Sequence, residues 1–195
     1  PTPPRGPILL QAARDAVEAA VLDRPPRPSP DESRAFARVP GAAFVTLRRR
    51  DGSLRGCIGE LAARRPLIAS VRDCAAGAAL RDPRFSPVEP HELEGLRYGV
   101  SVLSAPRPAS PEDVVVGRHG VVLELGAHRG VLLPEVPVEA GWDRARFLAG
   151  IAEKAGLPPD AWQRPEARLS VFESEKFEPA PPRSGADGGV DFEER

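Results

Sequence analysis

Residues 42–60 read AAFVTLRRRDGSLRGCIGE, and this stretch decides the fold class because it predicts a β-hairpin. Its first arm is FVTL at residues 44–47, and its second arm is LRGCI at residues 54–58. Between them lies the pair Asp51-Gly52, and an Asp-Gly pair between two such arms is a strong signal for a hairpin turn. Because a hairpin joins neighbouring strands in antiparallel order, we expect an antiparallel sheet.

The segments around the hairpin show helical and extended patterns. Apolar residues recur at helical spacing over residues 8–22 and 66–80, and a third helix is predicted to begin after Asp143, a residue type that caps helices. This order of elements predicts an α+β fold with a mostly antiparallel sheet flanked by helices. The other predicted strands are residues 98–103, 114–116, 120–125, 130–133 and 167–172.

Composition and charge exclude several classes of protein. The 195 residues carry a formal net charge of -1, which argues against a general nucleic-acid binder because phosphate contacts need a basic excess or a basic face. No apolar run reaches the length of about 18 residues that a membrane span requires, so no membrane association is predicted. Residues 1–7 contain one arginine and no apolar core, so no secretory signal is predicted. The two cysteines, Cys57 and Cys74, do not make a disulfide framework, so a location in the reducing cytoplasm is expected.

The chain contains no linker long enough to divide it, and residues 1–178 are predicted to form a single domain. After Glu178 the sequence is rich in proline, glycine and charge, and it lacks periodicity. Residues 179–195 are therefore expected to form a disordered or loosely docked tail, because they bury too little apolar surface to offset the entropy of ordering.

The predicted hairpin register makes Cys57 the candidate reactive group. With a two-residue turn, Arg48 faces Arg55 beside Cys57, and two like charges in that position favour a nearby carboxylate or a bound anion. A thiol beside arginine is favoured as thiolate, although a lone cysteine more often fills a packing position. Gly56 and Gly59 flank it, and glycine within a strand marks the close approach of another backbone or of a ligand.

Two further candidates come from separate parts of the chain. Arg84 follows the second helix in the segment RDPRF, where it either binds an anion or forms a structural ion pair with Asp82. His119 is a candidate general acid or base, although a histidine without a partner at regular spacing is more often structural. Cys74 lies on the apolar face of its helix and is predicted to be core. No metal-ligand spacing and no nucleotide-binding motif occurs, so neither a metal nor a cofactor is predicted.

Seven short segments follow one another along the chain, and the most specific is the hexapeptide LRGCIG at residues 54–59. The others are RDPRF at 81–85, VSVLS at 100–104, GRHGV at 117–121, LPEV at 133–136, GWD at 141–143 and SEK at 174–176. In this order the segments resemble the AMMECR domain family. The resemblance covers roughly residues 8–178 and leaves the tail outside it.

This resemblance implies an α+β fold in which a mostly antiparallel sheet is packed against a smaller subdomain. It also implies a stand-alone prokaryotic member, similar to protein A of the AmmeMemoRadiSam system. The partners implied are a Memo-like protein and a radical SAM protein. The resemblance implies no defined reaction, so whether the protein is an enzyme stays open.

Two functions follow from these residues. In the first, Cys57 and His119 are catalytic and act on, or bind, a small anionic ligand held by Arg55 and Arg84. In the second, an arginine-lined cleft binds an acidic segment of a partner protein without chemistry. Nucleic-acid binding ranks last, because net charge is slightly negative and stacking aromatics are scarce. The first function requires these four side chains to converge on one cleft, with Gly56 and Gly59 giving a ligand access to the backbone.

Overall fold

The computed structural model describes residues 5–27 and 34–179, so nearly all of the predicted tail lies outside the described residues. The helices are α1 (Arg5–Val21), α2 (Ala35–Arg38), α3 (Leu67–Leu80), α4 (Glu135–Glu139) and α5 (Arg144–Lys154). The strands are β1 (Ala42–Arg48), β2 (Leu54–Gly59), β3 (Arg97–Leu103), β4 (Arg107–Pro108), β5 (Gly120–Leu125), β6 (His128–Leu132), β7 (Arg168–Phe172) and β8 (Ser174–Phe177).

The first sheet has the strand order β2-β1-β3-β8, and each pair of neighbouring strands in it is antiparallel. One face carries Val45, Leu47 and Val100, which are fully buried in a core shared with α1 and α3. Those helices pack closely because alanines line their buried faces. Cys74 belongs to this core, where burial raises the pKa of its thiol to about 12, in agreement with the predicted packing role.

The second sheet has the order β4-β7-β5-β6 and a core of its own. Helix α5 covers it with Phe147, Leu148 and Ile151, which occupy the positions that the sequence pattern predicts to be buried. Asp143 caps this helix by accepting a hydrogen bond of 2.8 Å from the amide of Arg146, as predicted. The predicted α+β class is thus confirmed, with two antiparallel sheets in place of one.

A third, smaller apolar cluster joins the two sheets. Ala42 and Leu103 from the first sheet pack with Val122 and Phe172 from the second, and all four are buried. This cluster fixes one end of the first sheet against the second sheet. The remainder of that sheet face, away from α1 and α3, carries the residues that form the candidate site described below.

The hairpin between β1 and β2 differs from its predicted register in an informative way. The loop closes at Arg49 rather than Arg50, because the amide of Arg49 donates to the carbonyl of Ser53 at 2.9 Å. Gly52 has a φ of +86°, the left-handed conformation that completes a three-residue hairpin loop. Arg48 pairs with Leu54 and Leu47 pairs with Gly56, so Arg55 is an extra, unpaired residue in β2. This extra residue shifts the register by one position, so Thr46 pairs with Cys57 as predicted.

Four further elements differ from the sequence-based expectations. Residues 114–116 lie in a loop and turn instead of a strand. The sequence patterns did not predict α4, β4 or β8, and β8 is the edge strand of the first sheet opposite β2. Within the described ranges, no helix is long and apolar enough to cross a membrane.

Candidate functional site

Cys57 lies on β2, with its side chain on the sheet face opposite α1 and α3. Thr46 lies directly across from it on β1, and the Thr46 Oγ1 is 3.3 Å from the Cys57 Sγ. The cysteine is partly exposed, so its thiol is neither enclosed by aliphatic side chains nor fully open to solvent. The reactive position that the sequence suggests is therefore accessible, and its neighbour is a hydroxyl.

Arg84 lies beside Cys57, but its guanidinium group is already paired. Its Nε and Nη2 contact the two carboxylate oxygens of Asp82 at 2.9 and 2.7 Å, and Nη2 also donates to the Cys57 carbonyl at 3.3 Å. Asp82 also accepts a hydrogen bond from the Arg84 amide at 3.1 Å and one from the Cys57 amide at 2.8 Å. Together with these amides, the arginine holds the pKa of the Asp82 carboxyl well below its usual range. The structure thus shows the structural ion pair that the sequence left as an alternative.

Arg55 requires a correction, because it does not line a cleft. Its side chain is 3% exposed, and its guanidinium group forms a two-pronged pair with Glu92 at 2.7 and 2.8 Å. It also donates to the carbonyls of Ser86 and Pro87 at 3.0 and 3.2 Å. The hydrogen bonds from Arg55 lower the pKa of the Glu92 carboxyl to about 2. The extra residue in the β2 ladder explains this different placement.

Gly56 and Gly59 also require a correction, since protein atoms occupy the space that a ligand would use. A Cβ atom at Gly56 would lie 2.1 Å from the carbonyl oxygen of Ala78, so glycine here permits α3 to approach the strand backbone. A Cβ atom at Gly59 would lie 2.2 Å from the ring of Phe44. Both glycines therefore serve packing.

His119 is not part of a common cleft with Cys57. It precedes β5 of the second sheet and is 3% exposed, and its Nδ1 accepts a hydrogen bond of 3.2 Å from the amide of Val115. Its Nε2 is buried and has no hydrogen-bond partner in the described part of the chain. A ring closed from solvent in this way does not support the predicted role as a general acid or base at the Cys57 site.

A different set of residues forms a cleft next to Thr46. We call it the basic cleft, and it has a volume of about 320 Å³. The strands β1, β3 and β8 place three cationic side chains in it: Arg48, Arg97 and Lys176. The other lining residues that matter here are Thr46, Gly99 and Glu178. Because Thr46 contacts Cys57, the thiol lies at the margin of this cleft.

The charges in the basic cleft are incompletely neutralised. Arg48 and Arg97 are direct partners in the β1–β3 ladder, a position in which like charges are unfavourable. Lys176 pairs with Glu178 at 2.9 Å, whereas Arg48 donates to the carbonyl of Gly52 at 3.1 Å. In residues 5–27 and 34–179, neither Arg48 nor Arg97 forms an ion pair with a carboxylate. This arrangement favours a bound anion.

The sequence patterns missed this pair for identifiable reasons. The predicted third-strand boundary at residue 98 left Arg97 outside the sheet, and the two-residue turn paired Arg48 with Arg55 instead. Lys176 lies on the unpredicted strand β8. The described ranges contain no group of three or more metal-ligating side chains arranged to hold an ion.

Comparison with known proteins places the chain in a family. The AMMECR1 family model matches residues 10–177. A protein of Thermococcus gammatolerans is 42% identical over 192 residues, covering 91% of this chain and 92% of the relative. A protein of Methanothermobacter thermautotrophicus is 41% identical over 179 residues, covering 88% and 93%.

A solved structure agrees with this assignment. The crystal structure of the uncharacterized protein PH0010 from Pyrococcus horikoshii superposes with a TM-score of 0.84 at 37% sequence identity. The match covers 91% of this chain and 93% of that one, so it includes both sheets of the fold. The chain thus agrees with this family in its overall sequence, in its structure, and in the β2 hexapeptide with the RDPRF segment that pairs with it. It belongs to the AMMECR1 family.

Proposed function

We propose that this protein binds a small anionic ligand, such as a carboxylate or a phosphate ester, in the basic cleft. The observation that carries the proposal is the direct pairing of Arg48 with Arg97 without a carboxylate partner among the described residues. An anion between the two guanidinium groups would turn an unfavourable pair into two charge-assisted contacts. Arginine is well suited to this task because its planar group matches carboxylate and phosphate geometry.

The size and surroundings of the basic cleft fit this proposal. Its volume of about 320 Å³ lies at the lower end of the range of roughly 300–1,000 Å³ for small-molecule sites. Thr46 supplies a hydroxyl on the side toward Cys57, and Lys176 supplies a further cation. A ligand held by the arginines and extended over Thr46 would contact the hydroxyl that lies 3.3 Å from the Cys57 Sγ. The proposal is one of binding and includes no covalent step.

The proposal also includes a cellular role, which rests on family membership alone. We infer that the protein works in an AmmeMemoRadiSam-type system with a Memo-like protein and a radical SAM protein. Size-exclusion chromatography of the purified proteins, alone and mixed, tests this role. Elution of each protein at its own unchanged volume at micromolar concentrations would count against it.

Calorimetric titration with inorganic phosphate, citrate and malonate tests the binding proposal. The arms are the wild type, the Arg48→Gln and Arg97→Gln variants, and Arg164→Gln as a control that removes an exposed arginine away from the basic cleft. We expect each cleft variant to weaken binding about tenfold or more, since charge-assisted hydrogen bonds contribute about 1.5–3 kcal/mol. The control should bind like the wild type.

Two results would overturn the proposal. One is the absence of binding by all three anions in wild-type protein at millimolar concentrations. The other is equal loss of affinity in the Arg164→Gln control, which would show that only the overall charge of the protein matters.

A further inference from the structure

A second cleft adjoins the basic cleft on the other side of Lys176. We call it the apolar cleft, and its volume is about 380 Å³. Pro134 and Val138, from the segment that leads into α4 and from α4 itself, form its apolar wall. Val138 is 59% exposed, the highest value among the large exposed apolar side chains of the described ranges. This exposure leaves an aliphatic contact surface that the described residues do not cover.

The two clefts are continuous along β8. Ser174 and Lys176 are two residues apart on this strand, so their side chains point to the same face of the sheet. Both residues line the apolar cleft. Lys176 also lines the basic cleft, as does Glu178 two residues further on. From Ser174 to Glu178 the strand direction spans about 13 Å at roughly 3.3 Å per residue. The result is one groove with a basic end and an apolar end.

The charges at the two ends of the groove differ in sign. Arg48 and Arg97 line the basic end, whereas Glu135 and Glu139 lie at the edge of the apolar end. A nucleic acid laid along the groove would bring its phosphates against these two glutamates, and repulsion disfavours that ligand. A small free anion would occupy the basic end and leave Val138 uncovered. An extended peptide satisfies both ends if its acidic and aliphatic side chains are separated along its length.

We propose that the groove binds an extended acidic segment of a partner protein, with its carboxylates at Arg48 and Arg97 and an aliphatic side chain on Val138. This inference rests on the proposed anion site and names the molecule that carries the anion. Charge complementarity selects the basic end, and burial of Val138 adds the apolar contribution that a free anion lacks. The strand length of about 13 Å between Ser174 and Glu178 corresponds to about four residues of extended peptide, and the test peptides use this separation.

Fluorescence anisotropy with labelled ten-residue peptides tests this inference on the full chain. The probe carries two adjacent glutamates and a leucine four positions away in a serine-glycine background, and it is made in both sequence orders. A matched peptide has serine in place of leucine, and another has glutamines in place of the glutamates. The protein variants are Val138→Ser and Arg97→Gln, with Val39→Ser as the control, because Val39 is also exposed but lines neither cleft.

We expect one order of the leucine peptide to bind about threefold to tenfold more tightly than its serine counterpart. Val138→Ser should abolish that advantage without changing the affinity for the serine peptide. Arg97→Gln should weaken both acidic peptides about tenfold, and the glutamine peptide should not bind. Val39→Ser should bind every peptide like the wild type.

The failures of the two proposals are distinguishable. If leucine gives no advantage in either order, or if Val138→Ser leaves that advantage intact, the peptide inference is wrong. In that case the dependence of phosphate, citrate or malonate binding on Arg97 still supports the anion site. If neither the binding of the peptides nor the binding of these anions depends on Arg97, both proposals are wrong.

Discussion

Arg55 and Arg97 belong to the same sheet, yet their guanidinium groups have opposite surroundings. Arg55 is buried and is held by the Glu92 carboxylate and two backbone carbonyls. Arg97 is exposed in the basic cleft, opposite Arg48, and has no carboxylate partner in the described residues. A buried arginine with satisfied donors stabilises the fold, whereas an arginine beside a like charge in a cleft is available to an external anion.

The largest difference between the two arginines should appear in stability. Arg55→Met removes the cationic partner of the Glu92 carboxylate, which among the described residues keeps only the hydrogen bond from the Glu89 amide, and it removes the donor to two carbonyls. We therefore expect a loss of about 2–4 kcal/mol in the free energy of unfolding. Arg97→Met should change the free energy of unfolding by no more than about 0.5 kcal/mol, because Arg97 is exposed and has no carboxylate partner among the described residues. Urea denaturation followed by circular dichroism measures both values.

The double variant Arg55→Met with Glu92→Leu serves as the control for this prediction. Glu92→Leu removes the carboxylate that has lost its cationic partner, so the double variant should recover part of the lost stability. If Arg55→Met and Arg97→Met lower the free energy of unfolding equally, the proposed distinction between a structural and a ligand-binding arginine is wrong.

A smaller difference should appear in acid. The pKa of Glu92 falls from its usual value of 4.5 to about 2 in the folded protein, chiefly through its hydrogen bonds from Arg55. Because the folded state binds this proton less readily, the stabilisation is present above pH 4.5 and is lost as the pH falls toward 2. The stability difference between wild type and Glu92→Gln should therefore shrink by about 1–2 kcal/mol over this range.

Urea denaturation at pH 6, 4 and 2.5 measures this change. The Asp82 carboxyl is present in both proteins, so its own acid titration largely cancels in the difference. A stability difference that stays constant with pH would mean that the Arg55–Glu92 pair does not control this part of the acid response.

The smallest effect concerns the reactivity of Cys57. An anionic reagent should be attracted by the basic cleft, so the ratio of iodoacetate to iodoacetamide modification at Cys57 should exceed that of glutathione about threefold to tenfold at low salt. Arg97→Gln and 0.5 M salt should each reduce this ratio, since screening and loss of charge weaken the same field. Peptide mass spectrometry measures modification at each cysteine.

Cys74 provides an internal control in the same experiment. It is buried, and its thiol has a raised pKa of about 12, so it should stay unmodified while the protein is folded. If the iodoacetate-to-iodoacetamide ratio at Cys57 equals that of glutathione and does not change in Arg97→Gln, the charge of the basic cleft does not act on this thiol.

The fold was more predictable from the sequence than the site. Periodicity and capping located α1, α3 and α5, and the Asp51-Gly52 pair located the hairpin, because these signals are local. The identity of the residue opposite Arg48 depends on one extra residue in the β2 ladder and on the end of β3. Such single-residue shifts change which side chains share a face, and local patterns do not resolve them.

The remaining errors have similar causes. The pairing of Cys57 with Thr46 is not among them, because the extra residue in β2 compensates for the longer loop and preserves the predicted pair. His119 follows a turn in place of the expected strand at residues 114–116, and long-range packing decides that it is buried. Strand β8 is short and polar, so its residues in the basic cleft carry no strong strand signal.

The pairing of Asp82 and Arg84 with β2 has a consequence for association between molecules. β2 is an edge strand, and the Cys57 amide and carbonyl that point away from β1 are the groups with which a strand of another chain would pair. The Asp82 carboxylate accepts from that amide, and the Arg84 guanidinium donates to that carbonyl. Two side chains thereby replace a neighbouring strand, which protects the hexapeptide from edge-to-edge aggregation and keeps this side of the sheet closed to strand addition.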